Sequence, residues 1–378
     1  MLEVADVFRE AGPAYRERFA GRMLPSQLKA MRDIERCRTP ALGGHLHQCD
    51  RCAHLLYSYH SCRNRHCPKC QGDYTQRWLD EQQDRLLACP YYLVTFTIPD
   101  QLRALARAQQ KLLYGTLMSC AAQALQALLA DPRWLGARPG MLAVLHSWTR
   151  TLLYHPHAHF LVTAGGLTDD LQAWRRPARR DFLIPCRALS VIFRAKVRDA
   201  LEQAKLLDQV PRKAWKQKWV THCRHAGDGQ KVLRYVARYV HRIAITNSRL
   251  EHFDQKQVTF RYRDNRSQQL QRCTLSAEQF IARFLQHVLP RRFTKVRYYG
   301  LFSSRCREAL ERARTLLSQG HEPDDPNADA PEPTGLTQPN GPTFPCPVCH
   351  VGRMTVVADL SPQHQPPPSL RAPPMATP

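Results

Sequence analysis

Six of the chain's fourteen cysteines fall between Cys37 and Cys70, and two Cys-x2-Cys pairs, Cys49/Cys52 and Cys67/Cys70, stand fourteen residues apart. Each such knuckle turns both thiolates to one side, and a zinc ion closes two knuckles into a tetrahedron. The spacing therefore predicts a module folded around one structural Zn2+ held by Cys49, Cys52, Cys67 and Cys70. A module this small draws much of its folding energy from the metal. Cys62 and His66 lie inside the block and Cys37 just before it, which leaves a substitute ligand or a second site open beside the plainer reading of buried thiols. Nothing at the N-terminus reads as an export signal, so the cysteines are expected as metal ligands and buried thiols rather than disulfides.

Lys and Arg outnumber Asp and Glu 55 to 32, a net charge of +23. Such a surface repels itself unless it meets a polyanion, so nucleic acid is the expected partner and a small-molecule hydrolase is disfavoured. A basic but merely solvated surface is the bland alternative. Arg63, Arg65 and Lys69, interleaved with the knuckles, suit phosphate contact, although a module serving only as a structural staple would carry them too. No run of eighteen apolar residues occurs, so no membrane span is expected and the cytoplasm is the expected location.

Beyond the cysteines the pattern is mixed. A helix over 27–34 behind Ser26 as cap, another over 74–87 and helical composition over 100–130 are joined by helical stretches at 188–205, 229–243 and 277–288. Strand patterns fall at 91–98, 141–147, 157–163, 218–223, 257–263 and 295–300. The order predicts an α+β fold with a central antiparallel sheet flanked by helices. Residues 1–88 form the zinc-binding, DNA-recognising module, 89–310 the main domain and 311–378 a tail. Fifteen of the 28 prolines lie beyond residue 322, which argues for a mostly disordered tail. Within it Cys346 and Cys349 form a lone knuckle with no second pair after it; Cys306, His321 and His350 are its candidate partners, against the reading of a degenerate remnant.

Two further motifs carry chemistry. Successive side chains alternate along a strand, so His157 and His159 in the sequence His155-Pro-His-Ala-His159 face one way, close enough to share a divalent metal ion. His146 on a neighbouring strand is one candidate for a third ligand, and His155 is the other. On a helix over 229–243, steps of about 100° per residue bring Tyr235, Tyr239 and Arg242 into one stripe beside an apolar face, with Arg238 on the flank. A phenol with a pKa of about 10 is a poor nucleophile unaided. A metal that draws charge from a scissile phosphate and positions it supplies the help.

The strings LGGHLHQCDRC, SCRNRHCPKCQ, RTLLYHPHAHFLVTAGGL, VLRYVARYVHRIAITNSRL and HVLPRRFTKVRYYGLFSSRCR, in this order, resemble the two-tyrosine rolling-circle transposases typified by insertion sequence 91. The resemblance runs from about residue 5 to residue 310. It implies a His-hydrophobic-His nuclease domain behind a zinc-binding domain, with His157 and His159 at the metal motif and Tyr235 and Tyr239 as nucleophiles. It also implies Mg2+ or Mn2+ at the catalytic site and single-stranded DNA ends as substrate. Cleavage would pass through a covalent 5′-phosphotyrosine, leave a free 3′-hydroxyl and end in strand transfer. A plasmid or phage replication initiator or relaxase of the same class is the nearer alternative, and a non-catalytic zinc-dependent DNA-binding protein the more distant one. The oligomeric state is not legible.

Overall fold

The structure is a computed structural model. It describes residues 2–70, 78, 81–82, 85–179, 181–228, 244–264, 267–319 and 343–362. The stretch 229–243, with Tyr235, Tyr239, Arg238 and Arg242, lies outside the described residues, as do the proline-rich stretches 320–342 and 363–378. Most of the helix expected over 74–87 lies outside them too, although Trp78, Glu81 and Gln82 are helical.

Helices α1 (Val4–Arg18) and α2 (Pro25–Arg36) lead into a hairpin of β1 (Gly44–Cys49) and β2 (Leu55–Tyr59). Pro25 opens α2 at a position where its missing N–H costs nothing. The expected Ser26 cap is corrected. Leu24 holds the cap position, and Gln27 Oε1 accepts from its N–H at 3.0 Å.

The central sheet contains β3 (Pro90–Thr97), β4 (Gly140–Trp148) and β5 (Tyr154–Thr163), with β6 (Gly166–Leu167) and β7 (Trp174–Arg175) forming a small ribbon beside it. Between β3 and β4 run α3 (Arg103–Ala108) and α4 (Gln110–Leu129). After the ribbon come α5 (Cys186–Gln203), the short α6 (Lys213–Lys216) and β8 (Val220–Asp228). The strands β9 (Leu250–Phe253), β10 (Gln257–Arg263) and β11 (Leu270–Ser276) form a three-stranded sheet that feeds α7 (Ala277–Leu285). The chain returns to the central sheet as β12 (Val296–Gly300) and continues into α8 (Arg307–Gln319). It then supplies β13 (Phe344–Pro345) and β14 (Arg353–Leu360).

The central sheet has the order β12-β4-β5-β3-β8 and every neighbour pair is antiparallel, so the expected α+β fold with a flanked antiparallel sheet is what the chain forms. One face is closed by α4 and α5. Tyr92, Val94, Phe96, Phe160 and Val162 pack there with Leu117, Leu125, Phe193 and Trp219, and Phe96 meets Phe193 edge to face at 4.9 Å. Helix α4 is long and apolar enough by composition to cross a membrane, yet its buried residues form part of this core. On the opposite face, α8 covers one end through Ala313 and Leu317 against Tyr91, Leu142, Val144 and Leu161. The boundary expected after residue 310 thus falls inside a helix of the main body.

A second core joins the N-terminal helices to the β9–β11 unit. Val4, Phe8, Met31 and Ile34 bury against Phe260, Phe280 and Phe284, with Phe8 edge-on to Phe284 at 5.2 Å. The C-terminal strands belong to neither body sheet. They complete a four-stranded sheet with the module, in the order β13-β14-β1-β2, so β1 is paired along both edges.

Candidate active site and metal centres

Burial along β5 changes midway. From Tyr154 to His159 it alternates, with His155, His157 and His159 half-buried on one face and Pro156 and Ala158 buried on the other; from Phe160 onward both faces are covered. The histidines therefore occupy the part of the sheet that α8 does not reach. A register shift between His146 and Trp148 disturbs the β4–β5 ladder opposite Pro156, whose missing N–H would otherwise leave a carbonyl unpaired.

His146 pairs directly with His157 across the two strands. The ring centroids lie 5.5 Å apart for His146 and His157, 4.9 Å for His146 and His159, and 4.9 Å for His157 and His159. One ligand nitrogen from each of the three falls within 4.8 Å of the other two. Of the two candidates for a third position, the structure brings His146 into the cluster. His155 faces the same side but accepts from the Arg103 guanidinium at 3.0 Å, and burial lowers its pKa, with the Arg103 charge adding to the effect.

The ring orientations are set from behind. His157 Nδ1–H donates to the His155 carbonyl at 2.7 Å, which leaves the Nε2 lone pair free for a metal. Burial pushes its pKa down to about 4, so the ring is neutral at physiological pH despite the opposing pull of that hydrogen bond. His159 Nδ1 meets Thr95 Oγ1 at 3.0 Å from the next strand, where Thr95 and His159 are register partners. His146 stacks on Trp148 at 4.8 Å, and Lys295 lies over the other ring system of that pair at 5.1 Å from the Trp148 centroid. Thr95 and Trp148 were not singled out from sequence; the signal was there only in the alternation that puts Thr95 on the histidine face.

The thiols are grouped otherwise than the spacing predicted. Cys67 and Cys70 cluster with Cys37 and Cys62, while Cys49 and Cys52 cluster with Cys346 and Cys349. The expectation of one tetrahedron from Cys49, Cys52, Cys67 and Cys70 is corrected to two separate four-thiol groups. Pairing within β1 and β2 carries the first knuckle away from the second, and β14 brings the lone C-terminal knuckle to it. Of the partners expected for that knuckle, Cys306 and His350 do not join it, and His321 lies outside the described residues. In the first group Cys37 and Cys70 sulfurs are 3.6 Å apart and Cys62 and Cys70 sulfurs 3.7 Å. These clusters fit structural zinc.

Of the basic residues of the module expected on DNA, Arg63 and Arg65 are both exposed and Lys69 is half-buried. Arg65 nevertheless donates to the Phe293 and Pro290 carbonyls at 2.6 and 2.8 Å, and Lys69 pairs with Glu3 at 2.6 Å. His66 Nε2 accepts from the Leu289 N–H at 3.2 Å, and burial, reinforced by the Arg65 charge, holds its pKa down at about 3. Arg65 and His66 tie the module to the 289–293 loop of the body, while Lys69 is held within the module.

A helix-flanked antiparallel sheet with a three-histidine cluster, joined to a cysteine-bound module on a strongly basic chain, defines a class: DNA-processing proteins with a zinc-binding N-terminal domain. The comparisons with known proteins give the particular one. The family described as "Putative transposase" matches residues 140–309, and that described as "Transposase zinc-binding domain" matches residues 7–98. A protein of Sinorhizobium fredii named "Putative transposase y4qJ" is 38% identical over 385 residues, covering 94% of each chain. The transposase for insertion sequence element IS801 of Pseudomonas savastanoi pv. phaseolicola is 30% identical over 312 residues, covering 76% of this chain and 75% of its own. No solved structure matches the chain significantly. The chain belongs to the transposase family of insertion sequence 91. A transposase acts on DNA as an endonuclease and strand transferase, so DNA is the partner.

Proposed function

We propose that this transposase cleaves and rejoins single-stranded DNA at the ends of its element by rolling-circle chemistry, with Tyr235 and Tyr239 as nucleophiles. The observation that carries the reading is the cluster of His146, His157 and His159 on the open half of one sheet face. Three imidazoles, two of them held through Nδ1 and the third by stacking on Trp148, would suit a divalent cation that also binds phosphate oxygens. Of the two ions expected, this all-nitrogen set favours Mn2+ over Mg2+, which prefers oxygen ligands and keeps its waters. When bound, the ion draws charge from the scissile phosphate and fixes its orientation.

The chain's own residues do the rest. A tyrosine oxygen attacks phosphorus, its proton passing to solvent; the new tyrosyl ester forms as the bond to the 3′-oxygen breaks, and that oxygen takes a proton to leave a 3′-hydroxyl. The ester conserves the energy of the broken bond, so a 3′-hydroxyl attacking it reseals a strand without external energy. Two tyrosines let one hold the first cut while the other makes the second. The sequence stretch that holds them begins directly after β8, the edge strand beside β3. Arg238, Arg242 and Arg63 serve phosphate contact, and Cys37, Cys62, Cys67 and Cys70 hold a structural zinc. Acting on element and target DNA, the protein works in the bacterial cytoplasm at the nucleoid.

Incubation with labelled single-stranded element ends and Mn2+ tests the reading. A covalent protein–DNA adduct is expected from the wild type and none from Tyr235→Phe/Tyr239→Phe, with DNA binding retained. An adduct in the double variant would remove the tyrosines from the mechanism, while cleavage that persists in His157→Ala at full rate would remove the metal.

A further inference from the structure

Cys49 and Cys52 sit at the end of β1, and Cys346 and Cys349 come from the opposite end of the chain, yet all four sulfurs lie within 4.8 Å of one another. The two cross-pairs, Cys49 with Cys349 and Cys52 with Cys346, are each separated by 3.7 Å. A disulfide would hold its sulfurs at about 2.05 Å. A tetrahedron with Zn–S bonds of about 2.3 Å has edges of about 3.8 Å. The spacing is that of a tetrathiolate around one ion.

The surrounding backbone is built for thiolates. Arg51 and Cys52 N–H groups point to Cys49 Sγ at 3.4 and 3.5 Å. The C-terminal knuckle repeats the arrangement, with Val348 N–H on Cys346 Sγ at 3.4 Å and Gly352 N–H on Cys349 Sγ at 3.3 Å. Amide donors aimed at sulfur favour its charged form, the form that binds metal. Gly352 is needed for the approach itself, because a side chain there would run into Cys49 Sγ. The apolar cluster beside the thiols comprises Cys49, Cys346 and Met354, with Leu56, Phe344 and Cys349 at its margin, too little to fix β13 and β14 unaided.

We infer that the chain carries a second zinc site made of Cys49, Cys52, Cys346 and Cys349, and that its ion locks the C-terminal segment into the N-terminal module. The zinc-binding match covers residues 7–98 and so contains only half of these ligands. The module is thereby a composite of both ends of the chain: β14 pairs with β1 over Gly44 to Cys49, and the metal closes the far end of that pairing. The inference does not depend on the role assigned to the histidines or tyrosines.

The test uses the full-length protein. Metal analysis should show that Cys346→Ser/Cys349→Ser holds one zinc fewer per chain than the wild type, while the zinc of the Cys37 group remains. In the same variant, hydrogen exchange at the Thr355 and Ala358 amides should accelerate by about a hundredfold as β14 leaves β1. An unchanged zinc content would overturn the site. Loss of one zinc with these amides still protected would overturn the lock. Should the variant not fold, Co2+ substitution of the wild type decides: thiolate-to-cobalt absorption for eight sulfurs is expected, and absorption for four would refute the second centre.

Discussion

His287 is buried beside the rings of Trp148 and Tyr154. Its Nε2–H donates to the Leu152 carbonyl at 3.1 Å, and its Nδ1 meets Ser147 Oγ, also at 3.1 Å. Burial lowers its pKa to about 4. The unfolded chain binds a proton here near pH 6.5 that the folded chain refuses until about pH 4, so the stability it contributes is full above pH 6.5 and declines as the pH falls. Roughly 3 kcal/mol is gone once pH drops below the folded value. His287→Gln should therefore be less stable at pH 7.5 yet flatter between pH 6.5 and 4; parallel urea-denaturation profiles for the two proteins would contradict this. Thr95 is the second residue with a separable role. Thr95→Val keeps a β-branched side chain in the strand but deletes the oxygen on His159 Nδ1, so Mn2+ affinity should fall 10- to 100-fold by calorimetry while the melting temperature barely moves. Undiminished affinity would show that His159 is oriented by something else.

At the scale of elements, α7 shows how local chemistry ends one segment and begins another. Ser276 closes β11 and caps the helix, its Oγ accepting from the Gln279 N–H at 3.1 Å. Ser276→Ala should cost about 1 kcal/mol of stability in a chemical melt, and a change within error would mean the cap is replaced by water. Elements of this kind are legible in sequence. The strands around Val144, Phe160 and Phe260 announce themselves by alternation or by runs of β-branched and aromatic residues, and α5 and α7 by their apolar stripes. His157 and His159 follow from the same alternation. What local pattern does not encode is register and distant pairing. Strand β2 leaves Leu55 and Tyr57 exposed and buries neither face, and β14 finds its pairing edge on β1, some three hundred residues earlier. The grouping of the thiols escapes local pattern for that reason: spacing within one segment says that a knuckle forms, not which other knuckle it meets.

For the whole molecule, the question is how the cysteine-rich module and the sheet-bearing body act together on DNA. They are joined through Arg65 and His66 on the 289–293 loop, and that loop leads to Lys295, whose carbonyl accepts from Leu145 N–H and whose ammonium lies over Trp148 beside His146. The module is thus docked on the segment that borders the histidine cluster. Its cations differ in what holds them: Lys69 is half-buried and paired with Glu3, Arg65 is exposed yet bonded to the Pro290 and Phe293 carbonyls, and Arg63 is exposed. Binding to DNA releases about one counterion for each phosphate neutralised, so the logarithm of affinity falls with the logarithm of salt at a slope set by the cations that reach the strand. Arg63→Gln should lower the slope by about one unit and weaken element ends and unrelated single strands alike. Lys69→Gln should leave the slope unchanged and instead lower the melting temperature, because Glu3 loses its partner. Titrations at several salt concentrations separate the two. If Lys69→Gln reduced the slope as Arg63→Gln does, the ion pair with Glu3 would have to open on DNA, and the module would present more of its charge to the strand than its resting structure exposes.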